Sequence, residues 1–187
     1  MGTSKALLPF GPETMLQRVV RLLGEVVSPI VVVAAVGQEL PDLPPGTIVT
    51  CDERKGRGPL EGLRAGLKAL PEDVDLAYVT SCDVPLLVPD FVREMLALAA
   101  AHDIAVMEID GFAHPLSAVY RRATLPHVED LLSKDRLRPV FLFEAVRTRR
   151  VQPREIASDP ELRTLRNLNT REDYDRALQN SGVNRNI

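Results

Sequence analysis

The sequence is poor in sulfur ligands and histidine, and it has no long apolar run. It holds two cysteines and three histidines in 187 residues. Cys51 and Cys82 alone make no zinc site, and a disulfide or metal pair between them is the alternative with little support. They stand near the ends of two predicted strands, where two small apolar side chains of a reducing compartment are expected to be buried. No apolar stretch reaches the ~20 residues a membrane-spanning helix needs. The first residues lack the charged-then-apolar order of a secretory signal. Excess basic charge is missing too: the net charge is −3, which argues against a general binder of nucleic acid or membrane surfaces. The densest basic group, Arg147, Arg149 and Arg150, reads as a solvated face. There is no internal repeat, no low-complexity tract, no Ser-His-Asp arrangement and no Walker lysine loop. A cytoplasmic enzyme or binding protein is the expectation.

What is present is an ordinary globular composition, 45% apolar and 26% charged, enough for one core. Residues 1–179 are expected to form a single domain, followed by a polar, frayed tail at 180–187. Met15, Leu16, Val19, Val20, Leu22 and Leu23 fall on one side of a helix. The run "IVVVAA" at Ile30–Ala35 predicts a strand buried on both faces. "TIVTC" at Thr47–Cys51 and "LAYVTS" at Leu76–Ser81 predict two more. A helix over Leu60–Leu70 is opened by Gly58-Pro59 and stopped by Pro71. Pro89 suits the first position of another helix. Ile104–Ile109 and His114–Tyr120 read as strands joined by an Asp110-Gly111 turn. Leu125–Leu132 reads as a helix and Val146–Val151 as a late strand. Thr170 with Asp173 resembles a capping box for a last helix. This alternation predicts an α/β fold with a mostly parallel, mixed sheet.

In such sheets ligands bind beyond the carboxyl ends of the strands, which singles out three loops. Asp83 closes an apolar strand ahead of Val84-Pro85. Its carboxylate could hold a hard cation such as Mg²⁺, or could serve as an Asx-type turn or helix cap. Asp52 occupies the analogous place one strand over. Gly58 and Gly62 would let the backbone approach a flat or anionic ligand, with the helix N–H groups at Leu60 aimed the same way, or would only turn the loop. Lys5, in a Gly-Thr-Ser context, is either a point charge for a triphosphate or a surface lysine. His114 could donate to a phosphate, or could serve only the extended backbone that Pro115 imposes.

Five stretches in order, "MGTSKALLPFG", "GPLEGLRAGL" (Gly58–Leu67), "CDVPLL" (Cys82–Leu87), "HPLSAVY" (His114–Tyr120) and "NLNTREDY" (Asn167–Tyr174), resemble the molybdenum cofactor guanylyltransferase family and its nucleotidyltransferase relatives. The resemblance spans almost the whole chain. It implies a three-layer α/β/α, Rossmann-like nucleotidyltransferase fold. It implies an enzyme that uses Mg²⁺ and GTP, or CTP in a sister group, to transfer the nucleoside monophosphate to the phosphate of molybdopterin. Carried over by position, Gly2 and Lys5 would contact the triphosphate. Asp52, Gly58, Pro59, Leu60 and Gly62 would lie around the nucleotide. Asp83 would hold the metal. His114, Asn167 and Asn169 would face the acceptor. Further partners would be a second copy of the chain or other proteins of the molybdenum cofactor pathway.

The family signature opens with a buried strand and a Gly-Gly-x-Ser-x-Arg loop ahead of Met-Gly, and this sequence does not contain them. Some guanine-specific relatives carry an asparagine after the second strand, where this chain has "AAVGQ" (Ala34–Gln38), so base choice stays open. Two alternatives follow: a transferase using CTP or another phosphorylated acceptor, and a nucleotide- or partner-binding protein without turnover. Without a central strand, either a rearranged N-terminal region or an oligomer shielding the sheet edge is expected.

Overall fold

The computed structural model describes residues 4–54 and 56–180. Gly2 and the tail at 181–187 lie outside the described residues. Two short strands, β1 (Pro9–Phe10) and β2 (Glu13–Thr14), form a hairpin that leads into α1 (Met15–Gly24). Thr14 caps α1 by accepting from Gln17 N, while the Gln17 side chain accepts from Thr14 N. Two orphan N–H groups are thereby satisfied. β3 (Val31–Ala34) and β4 (Ile48–Cys51) pair in parallel. α2 (Pro59–Ala69), β5 (Leu76–Thr80) and α3 (Pro89–Leu98) follow, with Pro59 and Pro89 at first-turn positions where a missing N–H costs nothing. β6 (Ile104–Ile109) and β7 (Phe112–Arg121) make a hairpin. Asp110 and Gly111 both take positive φ, 50° and 79°, as a turn matched to strand twist requires. α4 (Leu125–Ser133), α5 (Val140–Ala145), β8 (Thr148–Val151) and α6 (Arg171–Asn180) complete the chain.

β5, β7, β6 and β8 lie side by side in that order. β7 runs antiparallel to β5 and β6, and β8 runs parallel to β6. The sheets are therefore mixed. Alternation along β6 divides the core. Ile104 and Val106 pack with Leu60, Leu63 and Leu67 of α2 and with α4 and α5. Ala105 and Met107 pack with Phe91 and Met95 of α3. α1 joins the α3 side through Val19, Leu22 and Leu23. The result is the expected three-layer α/β/α arrangement. α6 closes over the N-terminal hairpin, where Ala177 and Leu178 meet Phe10 and Met15.

The expectation of a strand buried on both faces fails at β3. Val32 and Ala34 are buried, but Val31 and Val33 are only half-buried. Among the described residues β3 pairs with β4 alone and β5 with β7 alone, so no strand joins the two sheets. An apolar cavity of about 620 Å³ lies between them and is lined by Val31 and Val33. The N-terminal stretch expected to adjust is a single 3₁₀ turn over Lys5–Leu7 and the β1–β2 hairpin. The expectation of two buried cysteines fails too. Cys51 is exposed and Cys82 half-buried, both as free thiols. β4 is an outer strand with one uncovered face, which also exposes Val49. The arginines of the late strand each find a carboxylate, Arg147 with Asp103, Arg149 with Glu155 and Arg150 with Glu108. They behave as the solvated face expected.

Candidate functional site

Lys5 and Asp83 are 78 residues apart in sequence, yet the Lys5 Nζ donates to Asp83 Oδ2 at 2.8 Å and to Asn169 Oδ1 at 2.6 Å. Three segments meet here for local reasons. The 3₁₀ turn at Lys5–Leu7 buries Ala6 against Leu16, Val20 and Val32, which fixes the lysine backbone beside the sheet. Asp83 stands just past the end of β5. Its carbonyl accepts from Leu168 N at 2.9 Å, which draws the 167–169 stretch alongside. Ser81 Oγ donates to the second carboxylate oxygen, Oδ1, at 2.5 Å. The Asp83 side chain is 13% exposed and that of Lys5 is 33% exposed, so the pair is shielded but reachable. Beside it, burial and the Asp83 charge push the Cys82 thiol up from its ordinary pKa, which keeps it protonated.

Ser81 is not among the residues that the motifs single out. Its only signal was its place two residues before the carboxylate, a spacing at which a hydroxyl can reach back to an aspartate. Asn169 is exposed but held by Lys5, whereas Asn167 is exposed and, among the described residues, has no tie to the cluster beyond its neighbour Leu168. His114 lies on β7 beside Pro115, opposite Met107, where the β6–β7 register shifts. Burial lowers its pKa, favouring the neutral ring. It makes no hydrogen bond to the Lys5 cluster among the described residues.

A second group lies at one end of the cavity, which Asp52, Gly58, Pro59 and Gly62 help to line. Asp52 Oδ1 is buried without a hydrogen-bond partner among the described residues. Burial, then the nearby Glu61 charge, raise the Asp52 pKa, against the pull of Arg64. Gly58 has φ +69° with open space where a Cβ would be, so glycine is needed there for backbone conformation and not for clearance. At Gly62 a Cβ would lie 3.6 Å from Asp52 Oδ1, so its absence leaves room above that oxygen. Leu60 is fully buried in the core beneath α2 and can offer a ligand only its backbone N–H. The loop carrying this group is anchored by charged side chains. Arg57 reaches the Leu132 carbonyl and Asp135 (3.0 Å), at the end of α4. Glu61, 2% exposed, accepts from Arg64 at 2.5 Å. A carboxylate on the inner face of an apolar helix was the signal available.

Among the described residues no cluster of three or more His, Cys, Asp or Glu could hold a metal with protein ligands alone. The donors around Lys5 are hard oxygens, those of Asp83, Ser81 and Asn169. That set suits a cation which takes one or two carboxylate oxygens and completes its shell with water and phosphate.

The description that fits residues 1–151 is the MobA-like NTP transferase domain. A probable molybdenum cofactor guanylyltransferase of Methanosarcina acetivorans is 36% identical over 185 residues, covering 91% of this chain and 80% of that protein. Among solved structures, molybdopterin-guanine dinucleotide biosynthesis protein A from Archaeoglobus fulgidus superposes with a TM-score of 0.77 at 18% identity, over 96% of this chain and 91% of that one. The 2-C-methyl-D-erythritol 4-phosphate cytidylyltransferase of Thermus thermophilus superposes with a TM-score of 0.71 at 17% identity, over 96% and 94%. The two superpositions show a shared nucleotidyltransferase fold, and a fold carried by enzymes named for guanine and for cytidine does not choose the base.

Proposed function

Given that this chain belongs to the MobA-like NTP transferase domain family, we propose that it transfers GMP from GTP to the terminal phosphate of molybdopterin with Mg²⁺. An oxygen of the acceptor phosphate attacks the α-phosphorus of GTP. The bond from that phosphorus to the α–β bridging oxygen breaks, and pyrophosphate leaves with the electron pair. A phosphate monoester is largely dianionic at pH 7, its second pKa being about 6, so no strong general base is needed. The site's task is alignment and charge neutralisation.

The observation that supports this reading best is the Lys5–Asp83–Asn169 cluster at the end of β5. Asp83 would hold Mg²⁺, which neutralises phosphate charge when bound. Lys5 would trade its carboxylate partner for the triphosphate as a point charge. Ser81 keeps one Asp83 oxygen engaged and so orients the other. Asp52 and the Gly58–Gly62 segment would take the nucleoside, with the Asp52 oxygen that has no partner among the described residues as acceptor for a base N–H. Asn167, Asn169 and His114 would face the acceptor, the neutral ring of His114 offering one N–H to a phosphate. The absence of an internal triad or histidine base among the site residues accords with a transfer that needs neither.

The deciding assay measures pyrophosphate release with Mg²⁺, molybdopterin and either GTP or CTP. Release that requires molybdopterin and prefers GTP is expected. Preference for CTP would reassign the base. Release only with a different phosphorylated acceptor, or none with any, would overturn the reading.

A further inference from the structure

We propose that Thr164 is a positioning residue for the transfer: its hydroxyl fixes the loop that carries Asp83 against the stretch that carries Asn167 and Asn169. The effect on turnover rests on the transfer reading above, while the linkage between the two segments does not. Thr164 Oγ1 accepts from Val88 N at 3.0 Å, from 76 residues away in sequence. Thr164 itself is 1% exposed. Val88 ends the loop that begins at Asp83 and stands just before α3. A second bond ties the other ends of the same two segments, from Leu168 N to the Asp83 carbonyl at 2.9 Å. The two bonds brace Asp83–Val88 against Thr164–Leu168. Asn169 follows directly, with its side chain on Lys5.

Three features set this contact apart from ordinary packing. The first is how the threonine is aimed. Between β8 and α6 the regular structure among the described residues is two 3₁₀ turns, Pro153–Glu155 and Arg163–Leu165, so side chains direct the path. Glu94 of α3 accepts from Ala157 N at 3.0 Å and from Ser158 N at 3.2 Å. The fully buried Asp159 carboxylate accepts from Arg163 N at 3.0 Å and from Thr164 N at 2.8 Å. Its carbonyl accepts from Leu162 N at 2.9 Å. Leu162 is thereby held at φ 51°, a left-handed conformation that a leucine keeps only where its surroundings impose it. The second is the group it satisfies. In a capping box the third helical residue would take the N–H of Val88, but that residue is Phe91 and α3 has no side-chain cap among the described residues. Thr164 supplies the missing acceptor from a distant segment. The third is direction. A hydrogen bond fixes distance and angle, whereas an apolar contact of the same size only fills space. A transfer governed by alignment is sensitive to this, since a displacement of about 1 Å can lower the rate ~10²-fold.

The test compares Thr164→Val, which keeps the shape and removes the acceptor, with Thr164→Ser, which keeps the hydroxyl. Thr124→Val is the control. Thr124 is equally buried at 1% and donates to the Arg121 carbonyl at 2.7 Å, next to the start of β5 and away from Asp83. Pyrophosphate release with GTP, Mg²⁺ and molybdopterin is read beside urea unfolding. Thr164→Val should lower kcat at least about tenfold with KM for GTP within about threefold, because the groups assigned to the nucleoside lie elsewhere. Thr164→Ser should stay within about threefold of the parent. Thr124→Val should lose a similar share of stability and keep its kcat. Amide exchange without substrate reads the linkage directly: Thr164→Val should speed exchange at Val88 and Leu168 at least about tenfold, and Thr124→Val should not. Unchanged exchange at Leu168 would overturn the proposal whether or not the parent turns over, and a parent without turnover would sink the transfer reading alone. Parental kcat in Thr164→Val would overturn it, as would a serine variant as slow as the valine one. So would a Thr124→Val chain that loses kcat equally, or a Thr164→Val chain that does not fold, since either makes the threonine a part of the scaffold only.

Discussion

Asp83→Asn separates the site from the scaffold. The substitution keeps shape and an oxygen for Ser81 but removes the charge facing Lys5, whose Nζ lies 2.8 Å away. The stability cost should be small. The backbone bond from Leu168 N to the Asp83 carbonyl does not involve the side chain. Lys5 is one-third exposed and keeps Asn169 as a partner. A partly exposed ion pair contributes about 1 kcal/mol or less, which for a chain of this size lowers Tm by roughly 2–4 °C. The cost to transfer should be far larger. Loss of a preorganised charge at a reacting phosphate lowers the rate by about 10²–10³, or ~2.7–4 kcal/mol on the barrier. Pyrophosphate release at saturating GTP and Mg²⁺, beside circular-dichroism melts of both proteins, reads the two quantities. Turnover within threefold of the parent would remove Asp83 from the chemistry. A Tm loss above about 10 °C would show that its charge holds the fold.

Asp52 should betray its environment through pH. Its folded pKa lies above the ordinary 3.8 because burial and Glu61 disfavour the charge. The stabilisation from its protonated form is therefore complete below pH 3.8 and is lost as pH rises through the folded pKa. Asp52→Asn should raise Tm at pH 7, with the gain shrinking toward pH 4; an equal gain at both pH values would refute this. Tyr120, 1% exposed, donates to the Pro115 carbonyl at 2.8 Å inside the irregular part of β7. Tyr120→Phe should cost about 1–1.5 kcal/mol in urea unfolding and loosen the His114 segment in amide exchange. An unchanged midpoint would show the carbonyl finds water instead.

Features set by neighbours in sequence were legible without coordinates. Pro89 opens α3, Asp110-Gly111 turns β6 into β7, and Thr170 with Asp173 forms the expected cap at α6, each side chain bonding the other's backbone N–H. α5 was missed because six residues, Val140–Ala145, are too few to show a helical period, and packing against α4 holds them. Lys5 and Asp83 were recognisable one at a time, by position and by resemblance. That they touch was not, because 78 residues of intervening fold decide it. Ser81 and Glu61 lay hidden for the same reason: their partners are set by how the strand end and the helix face are aimed.

The sequence alone settled most of the longer helices and strands, the α/β class and the nucleotidyltransferase family, because periodicity, turn chemistry and ordered motifs are carried locally along the chain. Only the tertiary structure decided that β3 and β5 stand apart across an apolar slot, that Cys51 is exposed on an outer strand, and that Lys5 meets Asp83 and Asn169. Strand neighbours, burial and ion-pair partners depend on how distant segments pack, and that information has no period to read.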